Sequence, residues 1–230
     1  MDPMEDFLKS QPPTALRPLL GQTVLAVEDS RFACEAIRLV CLRSGARVRQ
    51  ADSLHSARRH LRVYRPSVVL VDMGLPDGSG ADLIAELAAA SPRVPVLLGA
   101  SGDDALCDQA IAAGADGFIA KPISSLAGFQ NAVLQHLPFD RQPKGPRAVM
   151  EDAIKPDSIA YQDDLAHALE ALDAGEGAYA AQFLEGLAAC GGDDTLARQA
   201  HRLGWAPESA EELASTSSFL RERLGERMAV

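Results

Sequence analysis

Four charged residues of this 230-residue sequence stand directly after short apolar runs, where a charge is least expected. Glu28 and Asp29 follow TVLAV, Asp72 follows SVVLV, and Lys121 follows GFIA. Three carboxylates gathered at one place repel one another, and the arrangement persists only if a cation neutralises them. An open site whose donors are all oxygen suits magnesium, which is octahedral and retains several of its waters. Lys121 adds a compact positive charge on a flexible stem, able to reach a phosphate oxygen. A carboxylate is a weak nucleophile toward a phosphoryl group ringed with negative charge, and a divalent cation with a lysine lowers that repulsion. A single acid at such a position, Asp29 for example, could merely cap the following helix, as Ser53 could cap its own. An acid pair, a lone acid and a Lys-Pro at three strand ends is a combination that capping does not explain.

These residues meet only if the chain brings distant strand ends together, and its periodicity says that it does. TVLAV (residues 23–27), ARVRQA (46–51), SVVLV (67–71), VPVLLGA (94–100) and GFIA (117–120) read as strands, with ARVRQA alternating like an edge. Helical spacing separates them: Phe32, Ile37, Val40 and Cys41; then Leu54, Ala57, Leu61 and Tyr64; then residues 81–90, 103–114 and 124–137. Continuous apolar strands alternating with amphipathic helices predict an α/β fold, a doubly wound five-stranded parallel sheet covered on both faces. Such sheets carry their functional groups at the carboxyl ends of the strands. Gly74 keeps the loop after Asp72 open, and Gly78 and Gly80 supply backbone freedom where it turns into the next helix.

Composition bounds the rest. With 47% hydrophobic and 23% charged residues and no apolar run near the length of a membrane span, a cytoplasmic globular protein is expected. MDPMEDFLKSQPP lacks the layout of a secretion signal. Cys34, Cys41, Cys107 and Cys190 form no CxxC pair and read as thiols in a reducing compartment. From Glu151 onward 16 acids face 6 bases, so this part carries the whole formal charge of −10. That balance disfavours nucleic acid as its partner.

Taken together, VEDSR, VDMGLPDGSG and AGADGFIAKP resemble, in order and spacing, the receiver domain of two-component response regulators. The resemblance covers residues from about Gly21 to Leu137, half of the chain, and implies a flavodoxin/CheY-like (βα)5 fold. It implies that Asp72 accepts a phosphoryl group from a phosphohistidine on a sensor histidine kinase or histidine phosphotransfer protein. Glu28, Asp29, Asp72 and the backbone carbonyl of Gly74 would hold Mg2+, and Lys121 would pair with the phosphoryl group. The protein would then be a phospho-accepting switch and not an ordinary enzyme, taking phosphate from small donors and losing it by its own hydrolysis. Pro122 fits the family's cis peptide. In the family a Ser or Thr ends strand four; alignment on Val-Pro-Val puts Ala100 there and Ser101 one residue later. Either a one-residue bulge lets Ser101 take the role or the hydroxyl is lost. Phe118 stands at the family's aromatic switch position, and it equally suits a plain core ring.

The expected organisation is an extension (1–20), a receiver (21–138), a linker (139–157) and a helical output or interaction domain (158–230). Leu165, Leu169 and Leu172, then Tyr179, Phe183 and Leu187, then Leu196, Ala200 and Leu203, then Leu213, Leu220 and Leu224 predict three or four helices. GGDD at 191–194 is read as a turn between two of them. LARQAHRLGW weakly resembles the helix of histidine phosphotransfer domains, with Gly204 and Trp205 replacing that family's lysine and glycine. His201 is therefore either a second phosphoacceptor in a relay or an ordinary surface histidine. A phosphorylation-independent scaffold and a dimerisation surface are the other readings of the tail. A hydrolase is disfavoured, because no general acid stands two residues beyond Asp72.

Overall fold

The computed structural model describes residues 12–145 and 154–225. The strand-like runs become the sheet: β1 (Thr23–Val27), β2 (Arg47–Ala51), β3 (Val68–Asp72), β4 (Val96–Ser101) and β5 (Gly117–Ala120). Their order is β2-β1-β3-β4-β5, and every neighbouring pair is parallel. Five helices intervene or follow: α1 (Arg31–Ser44), α2 (Leu54–Val63), α3 (Gly80–Ala89), α4 (Cys107–Ala112) and α5 (Leu126–Leu134). The doubly wound sheet expected from the periodicity is present, with β2 as its exposed edge.

Strand alternation sends side chains to two cores, one on each face. Val24, Leu70 and Leu98 pack with Ile37 and Val40 of α1 and Phe129 of α5. Leu25, Val69 and Leu97 pack with residues of α2 and α3, including Leu54 and Ile84. All five residues of β3 are buried, so Asp72 is delivered from a fully shielded strand.

Two chain segments join this core from outside the strand–helix pattern. Leu19, in the expected extension, is fully buried there and donates its amide to the Ser44 carbonyl at 2.9 Å. Ile154, in the expected linker, is also buried there, with its amide on the Ser124 carbonyl at 3.0 Å. The remainder of the linker at 146–153, and residues 1–11 of the extension, lie outside the described residues.

Among the described residues the tail forms four helices: α6 (Ser158–Asp173), α7 (Gly177–Gly191), α8 (Asp194–Trp205) and α9 (Ala210–Gly225). Every leucine named in the helical pattern joins their common core. GGDD is a turn: Gly192 is left-handed at φ 64°, and Asp193 accepts the amides of Thr195 and Leu196 to start α8. Phe32, which opens the helical pattern of α1, packs in the core of the tail, edge-on to Tyr161 at 5.3 Å between ring centres.

Among the described residues no helix is long and apolar enough to cross a membrane.

Candidate functional site

Strand geometry assembles the acidic cluster. β1 ends at Val27, so Glu28 and Asp29 emerge beside the end of β3, where Asp72 is the last residue. Glu28, Asp29 and Asp72 each offer a carboxylate oxygen, and these oxygens lie within 4.8 Å of one another. β5 ends at Ala120, and the Lys121 amide donates to the Ser101 carbonyl at 2.8 Å, carrying the lysine over the same edge. Lys121 Nζ lies 2.6 Å from Glu28 Oε2 and 3.1 Å from Asp72 Oδ1. The Lys121–Pro122 peptide is cis, as the sequence resemblance implied.

Three carboxylates around one ammonium leave negative charge in excess. Burial pushes the Glu28 carboxyl up to about 8, with the neighbouring acids adding to the shift and Lys121 opposing it. Burial likewise pushes Asp29 up to about 6, helped by Asp72 and opposed by a hydrogen bond from Tyr179. Burial would lower the Lys121 ammonium, but Asp72 and Glu28 outweigh it and hold it well above its ordinary value. The donor set, oxygen only and over-negative, suits a hard divalent cation.

The loop after β3 is shaped by close approach. A Cβ at position 80 would collide with the Asp72 carbonyl oxygen, so Gly80 is needed for space, whereas Gly78 is needed for its φ of 144°. The expectation that both supply unusual angles therefore holds for Gly78 alone.

Ala100 stands directly opposite Asp72 in the β3–β4 ladder, and the register runs on without a bulge to Ser101 opposite Ala120. The bulge that would have moved Ser101 into the place of Ala100 is absent. Ser101 still lines the cavity that contains Asp72 and Lys121, but its Oγ accepts the Asp103 amide at 3.1 Å. Phe118 packs against Gly99 and the core on the α3 side of the sheet, as a core ring does. The His201 side chain is 68% exposed, with Nδ1 3.9 Å from Glu185 Oε1. Trp205 Nε1 donates to its Nε2 at 2.9 Å.

The far wall of the site comes from the tail, which the sequence reading did not foresee. Tyr179 Oη donates to Asp29 Oδ2 at 2.8 Å. The Gln182 carboxamide occupies the space that a side chain at Gly74 would fill. Asp164, 1% exposed, accepts from Ser30 Oγ at 2.7 Å, the Arg31 amide at 2.9 Å and the Phe32 amide at 3.0 Å. Of these, only Asp164 had a legible signal: it falls on the apolar phase of α6, four residues before buried Ala168.

The response regulator receiver domain family matches residues 24–132. The probable transcriptional regulatory protein TcrX of Mycobacterium tuberculosis is 36% identical over 104 residues, 44% of each chain. This chain thus spans less than half the length of that relative. The receiver domain of sensor histidine kinase PA1611 from Pseudomonas aeruginosa, solved with a magnesium ion in its active-site cleft, is 24% identical. Its TM-score is 0.45, over 50% of this chain and 96% of that one. The chemotaxis protein CheY of Thermotoga maritima is 30% identical over 105 residues, 45% of this chain and 88% of that protein. An alignment that takes in nearly the whole of a chemotaxis protein, on the fold just described, means that this chain belongs to the response regulator receiver family.

Proposed function

We propose that the chain is a phosphorylation-controlled switch in which Asp72 accepts a phosphoryl group from a phosphohistidine of a sensor kinase or phosphotransfer protein. One observation carries this reading. The Asp72 carboxylate ends a fully buried strand 3.1 Å from a lysine ammonium, with two more carboxylates within 4.8 Å. An Asp72 oxygen attacks phosphorus, the P–N bond breaks, and its electron pair returns to the imidazole nitrogen. Lys121 balances the charge that Asp72 and the incoming oxygens share. Glu28, Asp29, Asp72 and the Gly74 carbonyl would hold Mg2+. Bound there, the ion supplies neutralisation of the phosphoryl oxygens.

In this reading residues 21–138 are the receiver, 139–157 the link and 158–230 a helical module that signals by protein contact. The acidic charge of that module supports a protein partner, a second copy of the chain included, over DNA. Ser101 lines the cavity with Asp72 and Lys121, and Ala100 leaves the place opposite Asp72 without a hydroxyl. The setting is cytoplasmic, and the activity is that of a switch and not of a turnover enzyme.

Incubation with acetyl phosphate and Mg2+ should add one phosphoryl group by intact mass, and none to Asp72→Ala. The same adduct on the variant would end the assignment.

A relay through His201 has the exposure of its imidazole in its favour. Base-stable, acid-labile phosphate that vanishes in His201→Ala would support it, and its persistence in that variant would not.

A further inference from the structure

The strand-end face on which Asp72 opens is the face that α6 and α7 cover. A cavity of about 330 Å³ separates them, with Asp72, Gly74 and Lys121 on one wall and Gln182, Glu185 and Cys190 on the other. A wider cleft of about 1080 Å³ reaches Glu28 and Asp29 from the side, between the end of β2 and α6, but Asp72 and Lys121 do not line it. The seat of the tail is built into the receiver and is not a chance contact. Phe32 leaves the receiver's core for the tail's. Asp164 takes two backbone amides and a hydroxyl at the start of α1, the donors that a helix N-terminus leaves unpaired. Arg31 and Asp163 pair at the rim at 2.8 Å. Gly74 leaves the notch that Gln182 fills, where the open loop suggested room for an incoming phosphohistidine.

A cavity of this size accommodates a small phosphate-bearing molecule. A histidine on a folded protein cannot reach Asp72 through it. Specific complexes bury about 800 Å² on each partner, and the receiver surface around Asp72 is already occupied by α7.

We propose that α6 and α7 are a cover in cis over the phosphoacceptor, which admits small phosphodonors and excludes protein donors while docked. This rests on Asp72 being the acceptor. Donor docking and tail docking then compete for one surface, so weakening either favours the other.

The test uses the full chain and the double variant Phe32→Ala/Asp164→Lys, which removes the seat without touching the acidic cluster. Hydrogen exchange at the amides of Arg31 and Phe32 reports docking. Labelling is followed with acetyl phosphate and with a phosphohistidine-loaded photransfer protein known to label other receivers. The expected result is faster exchange at those amides, acetyl phosphate labelling within twofold of the parent, and labelling by the protein donor raised tenfold or more. Equal labelling of both chains by the protein donor, labelling of neither, or unchanged exchange in the variant overturns the cover while Asp72 stands. Failure of acetyl phosphate to label Asp72 in the parent chain overturns the acceptor reading, and the cover with it.

Discussion

The receiver and the tail each bury aspartate, and they satisfy it in opposite ways. At the strand ends Glu28, Asp29 and Asp72 share one ammonium, and charge is left over. In the tail Asp164 is buried as deeply but accepts three hydrogen bonds, all from the start of α1. Burial pushes its carboxyl up, and those three donors oppose the shift. A buried charge that is fully hydrogen-bonded holds two surfaces together, whereas a cluster that is not neutralised is prepared to take a ligand.

The sharpest way to break this contrast is to remove the one cation. Lys121→Met should reduce labelling by acetyl phosphate about 100-fold or more, the usual loss of one preorganised charge. It should also destabilise the metal-free chain by about 3–5 kcal/mol, because two carboxylates lose their buried partner. Intact mass after acetyl phosphate checks the first and urea unfolding with and without Mg2+ the second, where the metal should restore part of the lost stability.

Asp164→Ala should cost about 1–2 kcal/mol in the same assay, the range for losing a helix cap and its hydrogen bonds. Asp77→Ala, which frees the Leu54 and His55 amides at the exposed start of α2, should cost no more than about 1 kcal/mol. Equal losses would show that burial adds nothing to the Asp164 cap.

Protons sharpen the comparison further. Glu28 rises from 4.5 to about 8 and Asp29 from 3.8 to about 6 on folding. Their protonated forms are favoured in the folded chain. That contribution to stability is complete below pH about 4 and is lost as pH rises through about 6 and about 8. The metal-free protein should therefore weaken between pH about 4 and about 8, an interval that Mg2+ should flatten. Calorimetry in buffers of different ionisation enthalpy should show Mg2+ binding releasing protons at pH 6 and few at pH 9.

The smallest effect is expected at Ser101→Ala. Its hydroxyl serves a local turn to Asp103, so stability should change by no more than about 1 kcal/mol. Acetyl phosphate labelling should stay within threefold of the parent chain. A larger change in labelling would show that the hydroxyl reaches the phosphoryl group despite the regular ladder.

Much of the receiver was legible because its signals are local. Uncharged β-branched runs, helical spacing and acids placed just past the runs each occupy a few consecutive residues. The alignment put Ala100 at the end of strand four and left Ser101 undecided, since a bulge depends on strand pairing and leaves no mark in composition; the ladder sets Ala100 opposite Asp72. The tail was legible only as helices. An amphipathic pattern says that one face of a helix is buried but not what covers it. Helical spacing therefore did not show that Phe32 joins the tail's core, nor that Tyr179 and Gln182 reach the receiver.

By itself the sequence determined the strand order's raw material, the acidic cluster with its lysine, and a separate acidic helical segment. Only the tertiary structure decided that this segment lies over the cluster. The reason is physical: hydrophobic periodicity is intrinsic to each element, whereas the contacts of Asp164, Tyr179 and Gln182 join residues more than a hundred positions away. Their energies exist only once both halves have folded and met.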